Sequence, residues 1–283
     1  MKKKLNILDL PVGIAGCGEM GFPMLQVLLK NKICAFGHDI RKSSEFTDFS
    51  ESLVMSKKQF FSTCDVVLSV VRDEEQTLDL TEGNCGIFKQ KARKYFLICS
   101  TLSPRFIKDL KSRAPKNIVM IDCPMSGASN GAREASLTFM VGSTKDEFKF
   151  VASLLRVLGK NIIHMGEFGL GMTTKVLNNF VTSVTVSAVR QVLDQAENLN
   201  LSTAQLLKIM NCSSGQNWFG SNFEKIEWAK LGYSEQNTIG ILEKDVAAYM
   251  DALKNLPKSK RTKQILDFQN ATIESLRQIR ELI

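Results

Sequence analysis

Only two histidines occur among the 283 residues, too few for most His-built metal sites or for a nucleophile–His–acid triad. The seven cysteines, at 17, 34, 64, 85, 99, 123 and 212, are scattered, odd in number and contain no C-x-x-C pair. That excludes a secreted disulfide framework and favours reduced thiols in a cytoplasm. No apolar run approaches the roughly 18 residues of a membrane-spanning helix. Met1-Lys2-Lys3-Lys4 has the charge of a signal-peptide start, but Asp9 and Pro11 break the apolar stretch that would have to follow. Compositional extremes are missing too. With 44% apolar and 23% charged residues, the chain is neither disordered nor collagen-like. Its net charge, 37 − 29 = +8, favours anionic partners without implying nucleic acid. The basic run Lys258–Lys263 reads as a solvated helix start. Neither a nucleic-acid nor a membrane partner is expected.

The length suggests two domains of about 150 residues each. Short apolar runs at Val12–Ala15, Ile33–Phe36, Val66–Val71, Tyr95–Cys99, Ile118–Ile121, Leu137–Val141 and Asn161–His164 alternate with helical stretches such as Phe22–Lys30. Ser103-Pro104 predicts a helix N-cap followed by proline at the first helical position. Thr144 and Glu147 form a capping-box pattern opening a helix to Leu158. This alternation implies an α/β fold with a mainly parallel sheet covered on both faces. The pattern then changes. Residues 172–213 contain neither glycine nor proline. The β-branched residues there favour strand, but the length and the spacing of Leu177, Val181, Val184 and Ala188 favour one long helix. An all-α remainder is expected, with the boundary near Gly166–Gly171.

Gly16-Cys17-Gly18-Glu19-Met20-Gly21 is a G-x-G-x-x-G turn between the first strand and a helix. Gly16 permits the tight turn, Gly18 lets backbone approach a pyrophosphate, and Gly21 lets the helix pack close. The helix N-terminus would then face the phosphates. A Rossmann-type dinucleotide-binding domain over residues 1–166 follows. Asp39 stands at the end of the second strand, where an acid can bond both ribose hydroxyls of NAD and repel a 2′-phosphate. Arg41 and Lys42 follow closely and could instead receive the phosphate of NADP.

Two further clusters carry chemistry. In Asp122-Cys-Pro-Met-Ser126-Gly127, a hydroxyl beside a glycine N–H suits a carboxylate, although the run also fits an ordinary β-turn. Gly169-x-Gly171-x-x-x-Lys175-x-x-Asn178-Asn179 opens the long helix, with Lys175 and Asn179 on one face. By spacing alone such a lysine also fits a solvated position. The helix dipole disfavours a cation in the first turn, so its placement asks for a reason. Proton transfer supplies one: His38 and His164 sit in strands, and a lysine lowered from about 10.4 by burial and a nearby cationic nicotinamide can carry the proton.

Together, in this order, the clusters resemble the β-hydroxyacid dehydrogenase family, relatives of 6-phosphogluconate dehydrogenase. Its opening G-x-G-x-M-G-x-P-M is matched by Gly16–Met24. Its D-x-P-V-S-G is matched by Asp122–Gly127, with Met125 for valine, and its G-x-G-x-x-x-K-x-x-N-N by Gly169–Asn179. Gly131–Gly142 is similar to the hydroxyisobutyrate branch. Ser213–Trp218 and Lys244-Asp245 resemble later landmarks. The likeness covers about residues 10–255. Arg72 departs from the usual proline and Ala135 from a common glycine, and the tail after Pro257 lacks the usual ending.

The resemblance implies Lys175 as general acid/base, with Asn179 orienting the substrate oxygen. It implies Ser126, Gly127 and Asn178 on the substrate, and Thr101, Val71, Arg72, Gln76 and Lys244 beside the cofactor with Gly16–Gly21 and Asp39. It further implies that residues 167–283 form an all-α domain for substrate and subunit contacts, in a homodimer or homotetramer. The expected activity is hydride transfer between a small carboxylate-bearing 3-hydroxy acid and NAD, with no metal. The alternatives are an NADPH-dependent reductase of a small semialdehyde, of tartronate or succinate type, and a non-catalytic binding module. An imine reductase is also conceivable, although that group generally lacks the lysine.

Overall fold

A computed structural model describes residues 6–41, 45–46, 50–53 and 56–282. The chain divides into two compact units, Met1–Lys175 and Val176–Ile283.

The first unit carries strands β1 (Val12–Ala15), β2 (Ala35–His38), β3 (Val66–Ser69), β4 (Lys94–Ile98), β5 (Ile118–Asp122), β6 (Met125–Ser126), β7 (Leu137–Gly142) and β8 (Gly159–Gly166). Its helices are α1 (Gly21–Lys30), α2 (Lys57–Thr63), α3 (Glu74–Thr81), α4 (Pro104–Arg113), α5 (Ala128–Arg133), α6 (Lys145–Leu158) and the start of α7 (Leu170–Asn198). The sheet order is β2-β1-β3-β4-β5-β7-β6, with β8 beside β7. The first five strands are parallel. β7 runs antiparallel to β5 and β6, while β8 runs parallel to β7.

Alternation along each strand supplies both covered faces. Ile14, Leu68, Leu97 and Ile121 pack with Met24, Leu25 and Leu28 of α1 and with Leu154, Leu155 and Leu158 of α6. Ala15, Val67, Phe96 and Ile98 point the other way, onto Phe60 and Phe61 of α2, Ile107 and Leu110 of α4, and Met172 of α7. Both helix-start signals hold. Ser103 accepts from the N–H groups of Arg105 and Phe106, and Thr144 with Glu147 forms the reciprocal capping box.

β2 begins two residues later than the apolar run Ile33–Phe36 suggests. Ile33 closes α1 instead. Lys32 adopts a left-handed φ of 60°, and the Ile33 N–H donates to the Leu28 carbonyl at 3.1 Å. A buried apolar residue after such a turn serves the helix C-terminus, not a strand.

The second unit holds the rest of α7 with α8 (Thr203–Asn211), α9 (Trp218–Ser221), α10 (Thr238–Ala252) and α11 (Lys260–Arg277). Its core gathers Val186, Val189, Leu193, Phe219, Ile239, Leu242 and Leu276. Buried Arg190 donates to the carbonyls of Ala229 (2.5 Å), Leu231 (2.7 Å) and Arg280. It thereby ties the 229–231 segment and the end of the chain to α7. Burial pushes its guanidinium below the ordinary arginine value. Among the described residues no helix is long and apolar enough to cross a membrane.

Candidate dinucleotide and proton-transfer site

β1 pairs with β2 on one side and β3 on the other. The chain therefore reverses its winding direction there, and the glycine turn leaves β1 at the switch point, where open α/β sheets bind ligands. Gly16 has φ +91°, and a Cβ there would lie 2.7 Å from the Val70 carbonyl oxygen. On Gly21 a Cβ would lie 1.9 Å from the Gly16 oxygen. These two glycines are required by the fold itself. Gly18 is exposed, and among the described residues a Cβ there meets nothing within 4 Å. Internal packing does not demand glycine at 18, whereas a pyrophosphate lying on the backbone does. Glu19 is exposed and Met20 half-buried. Met20, at the cap position of α1, makes no side-chain hydrogen bond to the first turn.

Asp39 lies immediately after β2 and is tied to this turn. Its Oδ2 accepts from the Cys17 N–H at 2.7 Å. Its Oδ1 accepts from the Arg41 N–H at 2.9 Å and from Arg41 Nε at 3.1 Å. Arg41 Nη2 donates to the Cys17 carbonyl at 2.6 Å, and its guanidinium lies over the Phe46 ring, 4.7 Å from the centroid. Burial works to raise the Asp39 carboxyl, but the hydrogen bonds from Arg41 and Cys17 outweigh it and hold the group below the ordinary carboxylate value. The acid and the base that the sequence offered for the 2′ position are thus bonded to each other. Lys42 lies outside the described residues. The Cys17 thiol is buried, and burial pushes it up to about 12, so this residue serves the turn through its backbone.

Val71 borders the same turn, with Cγ1 3.1 Å from where a Gly16 Cβ would stand. Arg72 is exposed, and its N–H donates to Gln76 Oε1 at 3.0 Å. Thr101 lies in the loop after β4. Its neighbour Leu102 sends an N–H to the sulfur of Met172 in the first turn of α7.

Ser126 ends the two-residue strand β6, opposite Thr138, and Gly127 follows with φ +135°. The helix bearing the lysine starts at Leu170, so Lys175 stands in its second turn, not in the first, and the dipole argument weakens accordingly. Lys175 is 7% exposed. One turn further on, Asn179 is also buried. Its Nδ2 donates to Asp245 Oδ2 at 2.5 Å, and its Oδ1 accepts from Asn178 Nδ2 at 3.3 Å. Asp245 Oδ1 accepts from Lys244 Nζ at 2.8 Å. Asn178, Asn179, Lys244 and Asp245 therefore form one network.

Two acids to which the sequence reading gave no role now stand out. Asp245 was visible only as the second half of a Lys-Asp pair. Asp122 heads the serine–glycine cluster, and its Oδ2 accepts from the N–H groups of Gly169 and Met172, both at 2.9 Å.

Residues 11–166 match the family model described as the NAD binding domain of 6-phosphogluconate dehydrogenase. The chain belongs to the β-hydroxyacid dehydrogenase family. Residues 169–267 match a second model of that family, the NAD-binding region of NADP-dependent 3-hydroxyisobutyrate dehydrogenase. Human mitochondrial 3-hydroxyisobutyrate dehydrogenase is 30% identical over 231 residues, covering 80% of this chain and 69% of the relative. The 3-hydroxyisobutyrate dehydrogenase of Pseudomonas aeruginosa is 29% identical over 211 residues, covering 73% and 71%. In fold, the crystal structure of 3-hydroxyisobutyrate dehydrogenase from Salmonella typhimurium superposes with a TM-score of 0.78 at 19% identity, covering 93% of this chain and 94% of that one. As a member of this family the chain is an NAD(P)-dependent oxidoreductase.

The carboxyl of Asp122 gives the site a pH dependence. Burial raises it from 3.8 to about 7, against the opposing pull of the Met172, Gly169 and Gly171 N–H groups and of Lys108. The folded state thus holds this proton more tightly than the unfolded state does. The group's favourable contribution is complete below about 3.8 and is lost as pH rises towards about 7. An Asp122→Asn variant lacks this titration. Its stability relative to wild type should rise by about 2–3 kcal/mol between pH 5 and 8, read from denaturant unfolding at each pH. A difference that stays flat across that range would show that Asp122 does not titrate there.

Proposed function

We propose that the protein transfers hydride between a small 3-hydroxy acid of the 3-hydroxyisobutyrate type and NAD, with Lys175 as the general acid/base. The observation that carries this reading is a buried lysine one helical turn before an asparagine whose amide is clamped by Asp245. When bound, the nicotinamide cofactor accepts the hydride from the hydroxyl-bearing carbon, or returns it to the carbonyl.

The chain's own residues do the rest. In oxidation Lys175, as the neutral amine, takes the hydroxyl proton while that carbon's C–H bond breaks. In reduction the ammonium returns the proton to the carbonyl oxygen. Asn179 has two amide N–H groups; one goes to Asp245, and the other orients the substrate oxygen. Ser126 and the Gly127 N–H hold the substrate carboxylate, with Asn178 alongside. Gly16–Gly21, Val71, Arg72, Gln76, Thr101 and Lys244 line the cofactor. Two proposals concern the whole chain. Residues 1–166 serve the cofactor, and residues 167–283 serve the substrate and join copies into a homodimer or homotetramer. All seven cysteines are free, which supports a reducing cytoplasmic setting.

One observation favours a second reading. Arg41 already sits on the Asp39 carboxylate, and a cation there suits the 2′-phosphate of NADP. An NADPH-dependent semialdehyde reductase would use the same residues in the reductive direction.

Replacing Lys175 with alanine should lower kcat by about 10²–10⁴-fold while sparing NADH binding. A variant turning over within about threefold of wild type would remove the lysine from the mechanism.

Cofactor choice should follow the Asp39–Arg41 pair. Asp39→Ala should reduce kcat/KM for NAD by about 10- to 150-fold, the worth of a charge-assisted hydrogen bond. Arg41→Ala should widen the preference for NAD over NADP. If Arg41→Ala instead leaves NADP use untouched, Arg41 does not reach the 2′ position.

The carboxylate-holding role of Ser126 separates from a turn-forming one by substrate charge. Ser126→Ala should raise KM for the hydroxy acid by about tenfold or more and change little for its methyl ester. Equal losses for acid and ester would make Ser126 part of the turn alone.

A further inference from the structure

Asp122 is fully buried, with one oxygen used at least twice and the other not at all. Oδ2 accepts from Gly169 and Met172, while Oδ1 has no partner among the described residues. A buried carboxyl placed in this way is unfavourable in itself. The surrounding chain nevertheless makes room for it. A Cβ on Gly142 would stand 2.6 Å from Oδ2, and one on Gly171 would stand 3.1 Å from it.

A helix start is ordinarily capped by its own preceding residue. Here that position is Gly169, with φ +97°, which has no side chain to offer. The acceptor comes instead from the end of β5, 47 positions earlier in the chain. A local cap ties a helix to itself, whereas this one ties α7 to the sheet. The strand that supplies it runs directly on into Cys123–Gly127.

We propose that Asp122 is the positioning residue of the site: it fixes where the Lys175 helix begins relative to the Ser126–Gly127 loop. The proposal rests on the reading of Lys175 and Ser126 given above. Removing the carboxylate releases the first turn of α7 from β5, and the lysine five residues after Leu170 loses its fixed place. The titratable groups facing the carboxyl are Lys108 of α4 and, beside it in the chain, the Cys123 thiol, which burial pushes up and keeps neutral. Neither replaces the hold on the helix N–H groups.

The test compares Asp122→Ala, Asp122→Asn and Gly142→Ala. The asparagine keeps an acceptor without the charge, and the alanine at 142 crowds the junction itself, standing 2.6 Å from Oδ2, 2.9 Å from the Glu167 carbonyl and 3.0 Å from the Gly171 nitrogen. Asp122→Ala should lower kcat about 100-fold, the scale of an ångström-sized misplacement, with the NADH dissociation constant within about twofold of wild type. Its solvent deuterium isotope effect should grow, because proton transfer becomes limiting; a mere loss of folded enzyme would leave that effect unchanged. Asp122→Asn should recover to within about tenfold of wild type, and Gly142→Ala should resemble Asp122→Ala.

Hydrogen exchange at the Gly169 and Met172 amides should quicken in the two alanine variants and not in the asparagine one. This readout does not depend on turnover. Failure of Lys175→Ala to slow the enzyme would sink the acid/base reading and leave the exchange result standing. Wild-type kcat in Asp122→Ala overturns the positioning role, as does an Asp122→Asn as slow as the alanine with its amides still protected. If Asp122→Ala does not fold, wild-type kcat in Gly142→Ala overturns it instead.

Discussion

Where β5 and β7 end and α7 begins, three stretches of backbone come closer than side chains allow, and a single carboxylate fills the space between them. Gly142 and Gly171 have no Cβ because one at 142 would strike the Asp122 carboxylate and one at 171 would strike the Met140 carbonyl. The close approach lets Oδ2 reach two N–H groups of the helix start. It also explains why the glycines of the Gly169-x-Gly171 motif differ in task. The first bends the chain through a left-handed φ; the second lets the helix lie against the sheet. Both tasks are set by the chain's own backbone and side chains, although the motif belongs to the part of the sequence that carries the lysine.

The glycine turn after β1 obeys a similar economy of space and adds a ligand to it. Gly16 and Gly21 are explained by the backbone and side-chain atoms that crowd them, and Gly18 is not. The position with no internal reason for glycine is the one where an external reason, a pyrophosphate, has to be supplied. Asp39 and Arg41 then hold the Cys17 backbone on both sides, Asp39 accepting from its N–H and Arg41 donating to its carbonyl. The two side chains proposed to meet the ribose are therefore positioned by the glycine turn beside them. In the proposed reading, their mutual bond makes the choice of cofactor a balance between two neighbours.

The sequence made local constraints legible. The G-x-G-x-x-G turn, the Ser103 cap and the Thr144–Glu147 box each involve residues within a few positions of one another. The long helix was legible from a 42-residue stretch without glycine or proline. Features set by distant partners were not. Periodicity marks Leu137–Val141 as a strand but cannot say that it runs antiparallel to β5, because pairing decides direction. Ile33 has the apolarity of a strand residue and is used to close a helix. The start of α7 at Leu170 follows from the turn at Glu167–Gly169, and this moved Lys175 out of the first turn. The grip of Asp122 on that start joins residues 47 positions apart, and Asp245 reaches Asn179 across 66. No spacing rule connects either pair.

Both histidines are committed to packing. His38 lies against the Phe60 ring, and His164 bonds the Ser143 carbonyl and stacks on Phe148. A lysine doing a histidine's work differs in one physical respect. An imidazole is rigid and can be oriented through its second nitrogen, whereas an ammonium sits on four rotatable carbons and has no second site to hold. Its placement must come from the backbone that carries it and from the walls around it. In the proposed mechanism the proton carrier therefore inherits its precision from α7. That helix inherits its own from the carboxylate at the end of β5 and from the two glycines that let the carboxylate through.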